Sequence, residues 1–225
     1  MTREGLSARE RLFANVRSSL RRAASQPLDQ VAPTLAALSL LVPRSDRNVY
    51  TDLFVQNFET LAGKALVVPN ISAVVDALAP LLEGKQAIAS NSPYLERCGI
   101  TRMPQVRSGI TDRDELRQAC ATAGVGITSV EYALAETGTL VMFSNPSEAR
   151  LISLLPPVHI AVFSSTRMLA NLAELLSVVP HPAEQTSAMV LITGPSRTAD
   201  IEQILVRGVH GPGEIHAVIV KEKDE

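Results

Sequence analysis

Short apolar runs alternate with segments of helical periodicity along most of this 225-residue chain, and that alternation constrains its fold more than any other feature. Residues 65–68 read as a buried strand, 71–82 as a helix closed by Gly84, and 86–89 as a second strand with a short helical piece near Tyr94. Thr111-Asp112-Arg113-Asp114 caps a helix predicted to run to about Ala123. Further strands are predicted at 125–127, 139–143, 159–163, 189–193 and 216–220, and helices at 168–176 and 200–205. Ahead of them, Tyr50, Leu53, Phe54, Phe58 and Leu61 form the clearest apolar stripe, which Gly63 stops. The expected class is α/β: a Rossmann-like, mostly parallel sheet with helices on both faces. Ligands of such sheets sit outside the carboxyl ends of the strands.

Residues 1–47 are expected to form an N-terminal helical arm, and 48–225 the α/β domain. Ser7-Ala8-Arg9-Glu10 has the spacing of a capping box, and Leu12, Phe13, Val16 and Leu20 come after it at helical spacing. The arm holds eight arginines against four acidic residues; the remainder holds 13 basic against 19 acidic residues. That mildly acidic body gives no support to a nucleic-acid groove. No signal peptide or membrane span is expected, so the reading is of a soluble, cytoplasmic protein. Cys98 and Cys120 are the only cysteines, too few for a four-thiolate cluster, and no paired-histidine spacing suggests a metal site.

Charge set against strand ends costs free energy unless it is paired or used, so two polar stretches draw notice. Glu131-Tyr132-Ala133-Leu134-Ala135-Glu136-Thr137-Gly138-Thr139 holds two carboxylates that one continuous helix would aim apart, but a turn would aim together. Either one could serve as nucleophile or base; a turn-capping Glu136 and a solvated Glu131 are the plain alternative. Thr137, Gly138 and Thr139 read as a tight turn offering hydroxyls to an anion, or simply as a turn. Arg150 and His159 flank an apolar stretch, where the histidine is more often a core residue and the guanidinium wants an anionic partner. Gly194, Ser196, Arg197, Thr198 and Asp200 come after an apolar run and would place donors, hydroxyls and a guanidinium at a helix start. His210-Gly211-Pro212-Gly213 is a tight turn that could bring His210 to the same rim. A phosphate loop of the GxxxxGK[ST] type is absent, and Gly124-Val125-Gly126 lacks the third glycine of a dinucleotide fingerprint.

The run from Glu131 to Thr139, residues 149–160, the Gly194 stretch and Gly208-Val209-His210-Gly211-Pro212, taken together and in order, resemble the lactate-utilization (LUD) domain family, in its lactate utilization protein C type. The resemblance covers residues 50–220. It implies a fold like that of the glucosamine-phosphate isomerases, ribose-phosphate isomerases and CoA transferases. It also implies a role beside two partner proteins in oxidising L-lactate to pyruvate, with electron carriage attributed to iron–sulfur clusters. Since two cysteines cannot hold such a cluster, the expectation is that this chain carries no cofactor and that the clusters sit in the partners.

Three functions are compatible with these residues. The first is a non-redox subunit of a lactate-oxidising system that binds a small carboxylate or a partner, with a homo-oligomer left open. The second is a stand-alone transferase or isomerase-like enzyme acting on a CoA ester or sugar phosphate, with Glu131 or Glu136 as nucleophile or base. The third is an assembly protein that docks through its basic N-terminal helix.

Overall fold

The computed structural model describes residues 7–19, 47–199 and 205–222. The chain divides into two compact units, Met1–Thr34 and Leu35–Glu225. In the first, helix α1 (Ala8–Ser19) starts on the capping box: the Ser7 N–H and hydroxyl both donate to Glu10 Oε2 at 2.8 Å, and the Glu10 N–H returns to Ser7 Oγ at 3.3 Å. Leu12, Phe13 and Val16 stay exposed, with the Arg9 and Arg17 guanidiniums over the Phe13 ring. Leu20 lies outside the described residues.

The second unit opens with α2 (Arg47–Thr60), which buries Tyr50, Phe54 and Phe58 at every fourth position. Phe54 stacks on Phe58 with centroids 5.2 Å apart and meets Phe163 edge-on at 5.8 Å. Leu53, expected in the same stripe, is 38% exposed, because it points about 100° away from Phe54. The helix ends where Ala62 turns left-handed and the Gly63 N–H returns to the Phe58 carbonyl.

Strands β1 (Lys64–Val68), β2 (Ala87–Ala89), β3 (Val106–Arg107), β4 (Val125–Ser129), β7 (Val158–Ser164) and β12 (Glu214–Val220) make one six-stranded sheet. Its order is β1-β12-β7-β4-β2-β3, and every pairing is parallel. On one face Val125, Ile127, Ile160, Val162, Val218 and Val220 pack against Val74 and Leu78 of α3 (Val74–Leu78) and Leu95 of α4 (Pro93–Arg97). On the other face Ala161, Phe163, Ala217 and Ile219 pack against α2. Beside them Ile88 meets Ala119 and Cys120 of α5 (Arg113–Thr122) and Ile152 of α6 (Arg150–Leu154). Burial on both faces is why the central strands read as unbroken apolar runs, whereas β1, expected to be buried, is an edge strand that leaves Leu66 exposed. At position 126 an added Cβ would lie 1.9 Å from the Ile152 carbonyl oxygen, so bare glycine backbone is what allows α6 onto β4.

Several elements differ from expectation. Residues 139–143 and 189–192 do form strands, but in a second sheet of β5 (Tyr132–Leu134), β6 (Thr139–Phe143), β8 (Met168–Leu169) and β9 (Met189–Ile192), ordered β8-β5-β6-β9 with antiparallel pairings around β6. The helix expected over 168–176 begins as β8, and α7 (Leu172–Val178) starts only after Asn171, whose side chain caps it. A short α8 (Pro182–Gln185) comes next. The helix expected over 71–82 is broken into α3 flanked by two single 3₁₀ turns. After Gly194 the chain forms β10 (Arg197–Ala199), antiparallel to β11 (Leu205–Arg207), where a helix start was expected; residues 200–204 lie outside the described residues. Among the described residues no helix is long and apolar enough to cross a membrane.

Candidate functional site

Four parallel strands end together on one side of the sheet, and each of them runs out into polar residues. Ser90 and Ser92 come after β2, Ser129 and Glu131 at the end of β4, Ser164 closes β7, and Glu222 lies just past β12. Ser92, Ser129, Glu131, Ser164 and Glu222 line a cavity of about 430 Å³, together with Tyr94 and Arg97 of α4 and Thr166 and Arg167 beyond β7. It occupies the place where parallel sheets receive ligands.

Each of its two guanidiniums is held by a carboxylate. Arg97 Nη2 donates to Glu222 Oε1 at 2.9 Å and lies over the Tyr94 ring, whose hydroxyl donates to Glu222 Oε2 at 3.0 Å. Burial, with Cys98 and Glu222 nearby, pushes the Tyr94 phenol up, so it acts as a donor. Arg167 Nη1 reaches Glu131 Oε1 at 3.4 Å. Both arginine side chains are about half exposed, and a guanidinium has five N–H donors, so each can also serve a bound anion.

At the floor, the Ser92 hydroxyl donates to Ser129 Oγ at 2.8 Å, and the Ser129 hydroxyl donates to Glu148 Oε1. The Ser129 backbone N–H reaches the same carboxylate oxygen at 3.0 Å. Glu148 arrives on the loop before α6, whose turn is set by Asn145 Oδ1 accepting from the N–H groups of Ser147 and Glu148. Burial pushes the Glu148 carboxyl up, and the surrounding hydroxyls, Ser129 first and then Ser90 and Ser92, oppose that rise. Glu148 Oε2 and Ser90 Oγ are buried without a partner in hydrogen-bond geometry, although Ser90 is near enough to favour the ionised form.

The residues singled out from the sequence are distributed over the molecule. Glu131 lines this cavity. Glu136 is exposed at the far end of β5, its N–H bonded to Ala170 O and its carbonyl accepting from Asn57 Nδ2. Thr137, Gly138 and Thr139 form the β5–β6 turn, where Thr139 Oγ1 contacts Thr137 Oγ1 at 2.7 Å and Thr193 Oγ1 at 2.9 Å. Gly194 backs onto the Leu61 carbonyl, to which Arg197 donates. Ser196 bonds Pro212 and Gly208 through its backbone and accepts from the His210 N–H at 3.4 Å. The two polar stretches therefore converge at the end of α2, beside the amino ends of β1 and β12, whereas Glu131 stands at the carboxyl ends. Thr198 pairs through its backbone in β10; its side chain and Asp200 lie outside the described residues.

Arg150 starts α6 and lines a second cavity of about 740 Å³ with Asn145, Glu148, Glu184 and Thr186, so it and Arg197 do not share a ligand. His159 is fully buried; its Nε2 shares a 2.8 Å contact with Thr128 Oγ1 while Nδ1 is unpartnered. Burial drives it down to about 4, so it is a neutral core imidazole at physiological pH.

An iron–sulfur cluster does not fit the described residues. Cys98 and Cys120 are buried in separate core clusters, and burial pushes both thiols up, Cys98 to about 11. No group of three or more histidine, cysteine or acidic side chains among the described residues could hold a metal ion.

A family model described as the LUD domain matches residues 51–220. Lactate utilization protein C of Halalkalibacterium halodurans is 29% identical over 169 residues, covering 71% of this chain and 73% of that protein. Those of Bacillus licheniformis and Bacillus subtilis are 34% and 37% identical over 114 and 105 residues. For these two the chain spans about half the length of the relative, 48% and 44%. The crystal structure of a DUF162 family protein from Deinococcus radiodurans shares the fold, with a TM-score of 0.62 over 79% of this chain and 99% of that one at 18% identity.

Proposed function

Because the chain belongs to the LUD domain family, we propose that it serves an L-lactate utilization system as a subunit that holds a small hydroxy- or oxo-carboxylate, while the electron-carrying clusters reside in two partner proteins. The observation that carries this reading is the cavity at the carboxyl ends, where Arg97 and Arg167 offer guanidinium donors to a carboxylate and the hydroxyl oxygens of Ser92, Ser129 and Thr166 line the wall beside it. The named relatives supply the lactate half of the proposal, and the two core-bound cysteines support placing the cofactor elsewhere. A cytoplasmic location belongs to the same proposal.

Calorimetric titration of the isolated chain with L-lactate and with pyruvate tests the ligand, and lactate oxidation with and without the partner proteins tests the role. Saturable binding, with turnover only in the reconstituted mixture, supports the reading. Absence of binding at millimolar concentrations, or turnover by the isolated chain, would overthrow it.

One observation favours the enzyme reading: Glu131, not Glu136, reaches the cavity. A carboxylate there could attack a CoA thioester, forming a mixed acyl-glutamyl anhydride as the C–S bond breaks and the CoA thiolate leaves. Mass spectrometry after incubation with such an ester, seeking an adduct on Glu131, would promote that reading.

A further inference from the structure

We propose that Ser92, Ser129 and Glu148 form a hydrogen-accepting subsite at the cavity floor that selects a hydroxylated ligand over its oxo counterpart. This deepens the function proposed above and rests on it for the ligand pair. The polarity comes from counting protons. A serine hydroxyl has one proton and two lone pairs, and a carboxylate only accepts. Ser129 gives its proton to Glu148, so in its contact with Ser92 it must accept, and Ser92 must donate. Ser92 also accepts from the Tyr94 N–H at 3.3 Å, its role as the cap of α4. Both protons thus point inward toward one carboxylate. What the two serines turn toward the cavity they line is a lone pair each.

A 2-hydroxy acid can donate to such a floor while its carboxylate engages the guanidiniums across the cavity. A 2-oxo acid brings only acceptors and would face lone pair against lone pair. Sites built for a donor reject the analogue lacking it because buried polar groups are left unpaired. The polarity is proposed for an ionised Glu148, whose Oε1 accepts from both the N–H and the hydroxyl of Ser129, and no cation among the described residues lies within ion-pair distance of it. Glu148 lines the second cavity with Arg150 and Glu184, while Glu131, Arg97, Arg167 and Glu222 line the first cavity with Ser129, its hydrogen-bond partner. Glu148 does not touch the ligand; it is a positioning residue that acts through the serines.

The experiment has two parts, run on the full chain. In the first, the side-chain carboxyl carbon of Glu148 is tracked by carbon-13 NMR without ligand, assigned by its disappearance in Glu148→Gln. An ionised carboxyl at neutral pH is expected, and a neutral one overturns the proposal. In the second, L-lactate and pyruvate are titrated into the unmutated chain, Glu148→Ala and Ser129→Ala. The unmutated chain is expected to prefer L-lactate by about tenfold or more, the worth of roughly one hydrogen bond. Glu148→Ala, which removes the oxygen that accepts from Ser129 and frees the serine proton, is expected to lose or reverse that preference, and Ser129→Ala to lose it. Equal affinities in the unmutated chain, or an unchanged preference in both variants, overturn the subsite. Binding of neither acid sinks the functional reading instead, and the polarity is then judged on the carbon signal alone.

Discussion

Gly138 lies so close to the backbone of Phe58 that a Cβ added to it would fall 2.4 Å from the Phe58 nitrogen. The residue is also left-handed, with φ of 59°. The β5–β6 turn is thereby pinned on α2 by the absence of a side chain, with Asn57 Nδ2 donating to the carbonyls of Ala135 and Glu136 at 2.9 Å just ahead of the contact.

Gly138→Ala should therefore destabilise the chain by about 3 kcal/mol or more, since backbone must move as well as adopt a strained conformation. Gly84→Ala is the control: its φ of 67° is similar, yet nothing lies within 4 Å of the added atom. That change should cost only about 1 kcal/mol. Urea unfolding midpoints at constant slope would measure both.

The cavity arginines should separate binding from stability. Arg97→Gln and Arg167→Gln are each expected to weaken L-lactate binding about tenfold, the loss of one charge-assisted hydrogen bond. The arginine side chains are about half exposed, so unfolding free energy should shift by less than about 1 kcal/mol. Calorimetric titration and urea unfolding of the same samples give both numbers.

His159 should make stability fall in mild acid. Its folded value is about 4 against an ordinary 6.5, so between those limits the unfolded chain binds a proton that the folded chain refuses. The stability is complete above about 6.5 and declines as pH drops toward about 4, by up to about 3 kcal/mol. His216, also lowered by burial, acts in the same direction, while Glu148, raised by burial, acts oppositely at the acid end of the window. Replacing His159 with glutamine should flatten the curve of unfolding free energy against pH.

Neither cysteine should react readily in the folded chain. Both are buried free thiols, and Cys98 is held at about 11, so little thiolate exists at neutral pH. A colorimetric thiol reagent is expected to count no fast-reacting groups in buffer and two in denaturant.

The parallel sheet was legible because its strands are buried on both faces and so appear as unbroken runs such as Val125–Ser129 and Val158–Ser164. Of the second sheet, the strands at 139–143 and 189–192 were legible and the other two were not. Tyr132–Leu134 and Met168–Leu169 have three and two residues, too few to show any period, and only pairing with Thr139–Phe143 and Ala133 makes them strands. At the site, Glu131 could be picked out because charge interrupts an apolar run. Glu148 could not: within Asn145-Pro146-Ser147-Glu148 it looks like one more polar turn residue, and only tertiary structure buries it. A signal did exist in the hydroxyls just past the strands, Ser90 and Ser92 after Ala87–Ala89 and Ser129 at the end of Val125–Ser129. Reading strand ends as ligand positions would have found them.

The bare backbone at Gly126 reaches further than its own packing. It seats the Ile152 carbonyl, Ile152 fixes how deep α6 settles, and Glu148 enters that helix two residues ahead of its first turn. A methyl group introduced at 126 would lift the carboxylate off Ser129 and loosen the chemistry of a cavity the residue never touches. The proposed ligand discrimination would thus be anchored by an atom that is missing.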